Sequence, residues 1–164
     1  MLRKHAKLSR TSVLKKRSVL CGVLGILVSV PSVGCAGGEA LSKEQYVSRL
    51  NAMCADFSAK EREIGEPQTL ADLVEKGPRI LAAFDKAIAD KVRSLKAPDE
   101  IADQADRLVD LADQQRDVLD QLIHAARDDD FARVRELVAK NEALNKEANS
   151  IARQLGAQAC AEDN

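Results

Sequence analysis

The chain has no tryptophan, one tyrosine and three phenylalanines in 164 residues. With only Tyr46, Phe57, Phe84 and Phe131 aromatic, any core must be built of Leu, Ile, Val and Ala, and no large aromatic-lined pocket is expected. Strand patterning is almost absent after residue 40, which argues against sheets and barrels. Several chemical signatures are missing too. There is no Cys-x-x-Cys-His for haem attachment, no Gly-rich phosphate loop and no Ser/His/Asp set. Beyond the first 34 residues the only histidine is His124, a poor basis for a catalytic site. These absences predict no enzyme activity, no cofactor and no metal.

Acidic residues are also missing from one part of the chain. Residues 1–34 contain no Asp or Glu but seven cations: Arg3, Lys4, Lys7, Arg10, Lys15, Lys16 and Arg17. The remainder therefore holds 18 basic against 26 acidic groups, a net charge of −8. An acidic body argues against nucleic acid as a partner, because phosphate contacts need clustered Lys and Arg.

The basic stretch is followed by the apolar run "VLCGVLGILVSV" (19–30) and then Pro31, the layout of a secretory signal. Twelve helical residues span ~18 Å, short of the ~30 Å hydrocarbon core, so a permanent membrane helix is not expected. The start used in translation can lie downstream of Met1, since the basic region is long. Cleavage has two readings. "Ser32-Val33-Gly34-Cys35" supplies the Gly-Cys of a lipobox, with Ser32 where Leu is usual. It makes 1–34 a signal peptide, Cys35 the lipidated first residue and 35–41 a tether. The rival is an A-x-A-like cut after Ala36 or Ala40, which releases a soluble secreted protein. Cys21 follows Leu20 and fails the lipobox pattern.

From residue 42 the apolar positions recur at helical spacing, and four helices are predicted at about 42–64, 69–96, 98–127 and 130–155, with 161–164 a tail. Ser42 and Gln45 form a candidate capping box, with Leu41 and Tyr46 placed for a hydrophobic staple. Gly77-Pro78 inside the second pattern predicts a kink or break, because Pro lacks the N–H and clashes one turn back. Pro98 reads as the first residue of the third helix. Asp128-Asp129-Asp130 reads as turn and cap, and Gly156 as a C-terminal cap. The fourth helix carries an apolar set that includes Phe131, Val134, Leu137 and Val138. Connections of four or five residues predict an all-α, up-down-up-down antiparallel four-helix bundle over 42–160.

Two thiols remain in the body, Cys54 and Cys160, and two leftover cysteines in an exported chain usually pair. Reach is the difficulty. Cys54 lies ~15 Å from the far end of the first helix, and Leu155 ~36 Å from the facing end of the fourth. The five residues from Gly156 to Cys160 span at most ~17 Å, so a bridge needs a tail that doubles back, offset helices, or both. The alternative is a buried free Cys54 and a loose Cys160. The stretches "LSKEQYVSRLNAMC", "GPRILAAF" and "IARQLGAQAC" resemble a family of small actinobacterial secreted proteins and lipoproteins. That resemblance implies a disulfide-linked helical bundle outside the membrane and no assigned activity.

Three polar features interrupt or decorate the helices. Asp103, Asp106, Asp110, Asp113, Asp117 and Asp120 are spaced 3, 4, 3, 4, 3, which puts six carboxylates on one ridge opposite the seam of Ile101, Leu108, Leu111, Gln115, Val118 and Leu122. The bland reading is a solvated face, its repulsion partly offset by Arg107 and Arg116 on the same helix. The sharper one is a docking strip for a basic envelope protein, or weak divalent cations. His124, four residues after Asp120, reads as a helix-end residue near the negative end of the dipole rather than a metal ligand. Gln115 and Asn141 interrupt the third and fourth seams. Position 115 is level with about 143, so the two amides read as a core polar pair or as the lining of a small ligand site.

Together these features predict a binding, scaffolding or accessory module at the outer face of the cytoplasmic membrane, with a soluble holdase or small-ligand carrier as the alternative. If Cys35 is acylated, the mature chain begins there and partitions with membranes, and Cys35→Ser abolishes both. N-terminal mass analysis checks this: an unmodified terminus at Leu41, recovered from the culture medium, overturns the lipidated form.

Overall fold

A computed structural model describes residues 40–161. The expected signal peptide, Cys21, Cys35 and most of the tether lie outside the described residues. Within them every regular element is helical. Helix α1 is Lys43–Ile64. Helix α2 comprises Leu70–Phe84, a π-helical turn Asp85–Ala89 and Asp90–Ser94, running on without interruption. A 3₁₀ turn Asp99–Ile101 leads into α3, Ala102–Arg127. Helix α4 is Phe131–Leu155, and a last 3₁₀ turn spans Gln158–Cys160.

The helix starts follow from local side-chain chemistry. At α1 the Gln45 N–H donates to Ser42 Oγ at 3.3 Å, and the Ser42 N–H donates to Gln45 Oε1 at 3.0 Å. That is the reciprocal box, and Leu41 and Tyr46 belong to the same apolar cluster, as a staple requires. The Leu41 N–H also donates to the Lys96 carbonyl at 2.9 Å, fastening the start of α1 to the end of α2. At α4 the Asp130 carboxylate accepts from the Arg133 N–H at 3.0 Å, and Asp129 takes up the left-handed turn at φ +54°.

Of the two outcomes expected at Gly77-Pro78, a kink or a break, the break does not occur, and the helix runs on through Pro78. Its neighbour Gly77 lets α2 press against α3: a Cβ there would lie 2.6 Å from Ile123 Cγ1. Close packing of that kind offsets the one lost backbone bond. Pro98 does not begin α3 either. Its ψ of 155° is extended, and the α-helix starts four residues later, after the 3₁₀ turn.

The π turn, marked by the Asp90 N–H donating to the Asp85 carbonyl, corrects a drift in the α2 pattern. Ile80, Phe84, Ile88 and Val92 recur every four residues, so in a regular α-helix the last would be rotated ~120° from the first. One extra residue in a turn cuts that to ~20°. The same correction brings Asp85 and Arg93 to one side, where both meet α3: Arg116 Nε lies 3.0 Å from Asp85 Oδ1, and Arg93 pairs with Asp113.

Helix α3 is the central element, packed along α2 on one flank and α4 on the other, whereas α1 lies against α2, its π turn and the tail 158–160. One apolar cluster joins α1, the end of α2, the first half of α3 and the end of α4, with Tyr46, Leu50, Phe84, Val92 and Leu155 buried in it. The other is the α3–α4 seam of Leu111, Val118, Leu122, Leu137 and Leu144. Each such side chain contributes ~1.5–3 kcal/mol by leaving water. Phe131 and Val138 were expected on the inner stripe of α4 but are 62% and 40% exposed. Along its first half α4 packs closely only on α3, so Leu137 is covered and its neighbour Val138 is not.

The tail does double back. Gly156 at φ +87° places Ala157 so that its N–H reaches the Ala152 carbonyl at 2.8 Å, the Schellman closure, and Ala157 is fully buried. The Ala159 N–H then donates to Asn51 Oδ1 at 2.9 Å, and Cys160 is joined to Cys54 with 5.2 Å between Cα atoms.

Closing a loop over 106 residues of separation should stabilise the body by ~4–5 kcal/mol in the chain-entropy model. The double variant Cys54→Ala/Cys160→Ala should therefore melt ~10–20 °C lower, read by circular dichroism. Gly77→Ala should cost ~1–3 kcal/mol, and Gly77→Ala/Ile123→Ala should be less destabilised than the two single changes summed, because removing Cγ1 relieves the clash.

Candidate functional site

Helix α1 is held to α4 at the disulfide end but does not pack along it, and between them lies a groove of about 660 Å³. That is within the ~300–1,000 Å³ of small-molecule and peptide sites. Its floor is apolar: Met53 and Phe57 from α1, Ile80, Phe84 and Ile88 from α2, Leu108 and Leu119 from α3. Phe57 and Phe84 meet edge to face with ring centroids 5.5 Å apart. The gap stays open because several residues facing it are small, among them Ala112, Ala148, Ala152 and Ala159. The disulfide forms one end, since both Cys54 and Cys160 line it.

The polar lining is concentrated on α4. Asn141, Asn145 and Asn149 recur every four residues along the groove, with Gln115 from α3 beside them and Ser58 and Glu61 on the α1 side. Gln115 Nε2 donates to Asn145 Oδ1. Both sequence-derived amides thus reach the same site, but the bonded partner of Gln115 is Asn145, not Asn141. Position 115 is level with about 143, so residues 141 and 145 are equally near in height, and side-chain direction decides between them. Asn145 and Asn149 were not singled out from the sequence, although three Asn at four-residue spacing on one helix was a usable signal: Asn is a weak helix former. Burial pushes the Glu61 carboxyl above the usual carboxylate range, with Arg62 a smaller opposing influence.

The aspartate ridge lies on α3, away from the groove. Asp103, Asp106, Asp110 and Asp117 are exposed, Asp113 and Asp120 partly so. It is not wholly a free face, because Asp113 is paired with Arg93 of α2. Nor are the two arginines chiefly neutralisers of their own helix. Arg107 Nε reaches Glu147 of α4 at 2.7 Å, holding that carboxyl below its usual range, and Arg116 Nε reaches Asp85 of α2. Arg116 also lies 3.7 Å from Asp117. His124 Nδ1 is 2.8 Å from the Asp120 carbonyl and 3.7 Å from its carboxylate, the geometry of a helix-end residue. Among the described residues no group of three or more His, Cys, Asp or Glu is placed to hold a metal ion, and no helix is long and apolar enough to cross a membrane.

No protein-family model, curated protein or solved structure matches the chain.

Because its folded-state pKa is raised, Glu61 binds protons more tightly folded than unfolded. Its contribution therefore favours the fold at acid pH and is lost as pH rises through the raised value. Glu61→Gln should raise the melting temperature at pH 7 and leave it nearly unchanged at pH 4, a comparison made by calorimetry at the two pH values.

Proposed function

We propose that this chain is an exported, lipid-tethered binding module of the cell envelope, an up-down-up-down helical bundle that takes its ligand in the groove between α1 and α4 and performs no catalysis. The observation that carries the reading is that groove: an apolar floor, an amide wall and an open side in one place. The floor side chains are buried or half-buried, and the apolar surface they still show to the groove is what binding would remove from water. Export and tethering rest on the leader and Cys35, and they agree with the resemblance to secreted actinobacterial proteins. The acidic strip of α3, on a separate face, supplies a second contact for a basic envelope protein. Cleavage at Ala36 or Ala40 would make the same body a soluble carrier or holdase.

The groove is tested with an environment-sensitive apolar dye, 8-anilinonaphthalene-1-sulfonate. Its fluorescence should rise on mixing with the folded protein, and Ala148→Trp, which fills the groove from α4, should reduce the signal at least ~tenfold without lowering the melting temperature. Equal dye binding by the filled variant, or none by the parent, overturns the reading.

A further inference from the structure

We propose that α4 pairs with α4 of a second copy of this chain, the two helices antiparallel, through the exposed strip of Phe131, Arg135, Val138, Ala139, Glu142 and Lys146. The partner is a like molecule, and the pairing does not depend on the groove's holding a ligand.

The first support is where the uncovered apolar side chains stand. Phe131 and Val138 are the two large apolar residues left exposed among the described residues, and they are seven apart on one helix. Single exposed apolar residues need no explanation, but two that stand two turns apart on one strip form a face. At ~100° per residue the six positions fall within an arc of ~100°, on the flank of α4 and at least ~100° round from the buried Leu137 and Leu144. All six are exposed.

The second is charge complementarity. One turn either way from Arg135 stand Phe131, Ala132, Val138 and Ala139, so its own helix offers it no counter-charge. A two-fold axis level with the Val138–Ala139 peptide sets Arg135 opposite the second copy's Glu142, and by symmetry the contact is made twice. Glu142 also has Lys146 one turn along its own helix, so in the pair it bridges two cations. The same register brings Val138 against Ala139 at the axis, where short side chains let the helices approach. It also sets Phe131 opposite Lys146, an ammonium beside an aromatic face. Parallel in-register pairing would instead place Arg135 on Arg135 and Glu142 on Glu142, so the charges select the antiparallel arrangement.

The size of the strip sets the strength of the contact. It is ~22 Å long and ~10 Å wide on each copy, which places it below the ~1,200 Å² of a standard interface. Pairing is therefore weak and concentration-dependent. The two charge pairs and the apolar anchors decide it rather than area.

The test is sedimentation equilibrium of oxidised residues 37–164, the compact unit that holds every described helix and the disulfide. Loading concentrations run over ~5–500 µM, the range in which a weak pair changes its dimer fraction. The expected result is a reversible monomer–dimer equilibrium. Arg135→Glu and Glu142→Arg should each weaken self-association at least ~tenfold, because like charges then face each other. An equimolar mixture of those two variants should regain it, since each supplies the charge the other lacks. Val138→Glu should abolish it by bringing two carboxylates together at the axis. Circular dichroism should show helix content retained in all three, because each change is at an exposed position. A parent that stays monomeric throughout overturns the second copy as partner. Self-association that survives Val138→Glu overturns α4 as the surface. Loss in both charge variants without recovery in their mixture overturns the antiparallel register.

Discussion

The bond between Cys54 and Cys160 is the constraint on which the position of α1 depends. Helices α2, α3 and α4 are held together by long apolar seams through α3, and each would be costly to separate. Helix α1 buries Tyr46, Leu50 and Met53 in the cluster it shares with α3 and the end of α4, but packs along neither of those helices. It is fastened at its start to the Lys96 carbonyl, along one side to α2, and near its middle to the tail through the disulfide and the Asn51–Ala159 bond. A helix held along α2 and through its first half, but not along α4, can stand off from α4 over the rest of its length. The groove is the space this leaves, and no large side chain on α4 collapses into it because Ala148 and Ala152 are the apolar residues there.

The tail makes that arrangement possible. A left-handed glycine reverses the chain directly after α4, and the buried Ala157 seats the reversal in the core before Cys160 meets α1. An alanine at 156 would have to adopt a positive φ that costs it ~1–2 kcal/mol. Space is not the issue, since nothing lies within 4 Å of where its Cβ would be. Conformation alone asks for glycine here, whereas at Gly77 it is the contact with Ile123.

Much of this was legible from residue order wherever the cause is local. The Ser42–Gln45 box, the Asp130 cap and the Gly156 reversal are decided within four or five residues, and each stands where side-chain chemistry puts it. At Pro78 and Pro98 the outcome depends on a neighbour: the helix runs on unbroken at the first, where Gly77 packs on Ile123, and the second precedes a 3₁₀ turn that buries Ile101 and so does not open α3. The π turn had a signal, the strict four-residue recurrence of Ile80, Phe84, Ile88 and Val92, which a regular α-helix cannot keep on one face. The groove had less. Amides at 115 and 141 pointed to a polar site between helices, but its width is set by how far α1 stands from α4, and no short window of sequence contains that distance.

Charge placement follows the same division between local and long-range causes. Spacing alone makes the six aspartates of α3 one ridge and the arginines among them its local counter-charges. Packing redistributes them: Arg107 joins Glu147, Arg116 joins Asp85, and Arg93 arrives from α2 to meet Asp113. Each such pair is largely exposed and contributes at most ~1 kcal/mol. Their larger consequence is geometric, because they connect α3 to both of its neighbours at the polar edge of each seam. With its arginines turned to those neighbours, the outer face keeps Asp103, Asp106 and Asp110 as a local excess of negative charge. The groove's lining instead mixes Glu61 and Glu142 with Lys146 and Arg153, so the acidic surface and the amide-lined cleft present different electrostatic demands to anything that approaches them.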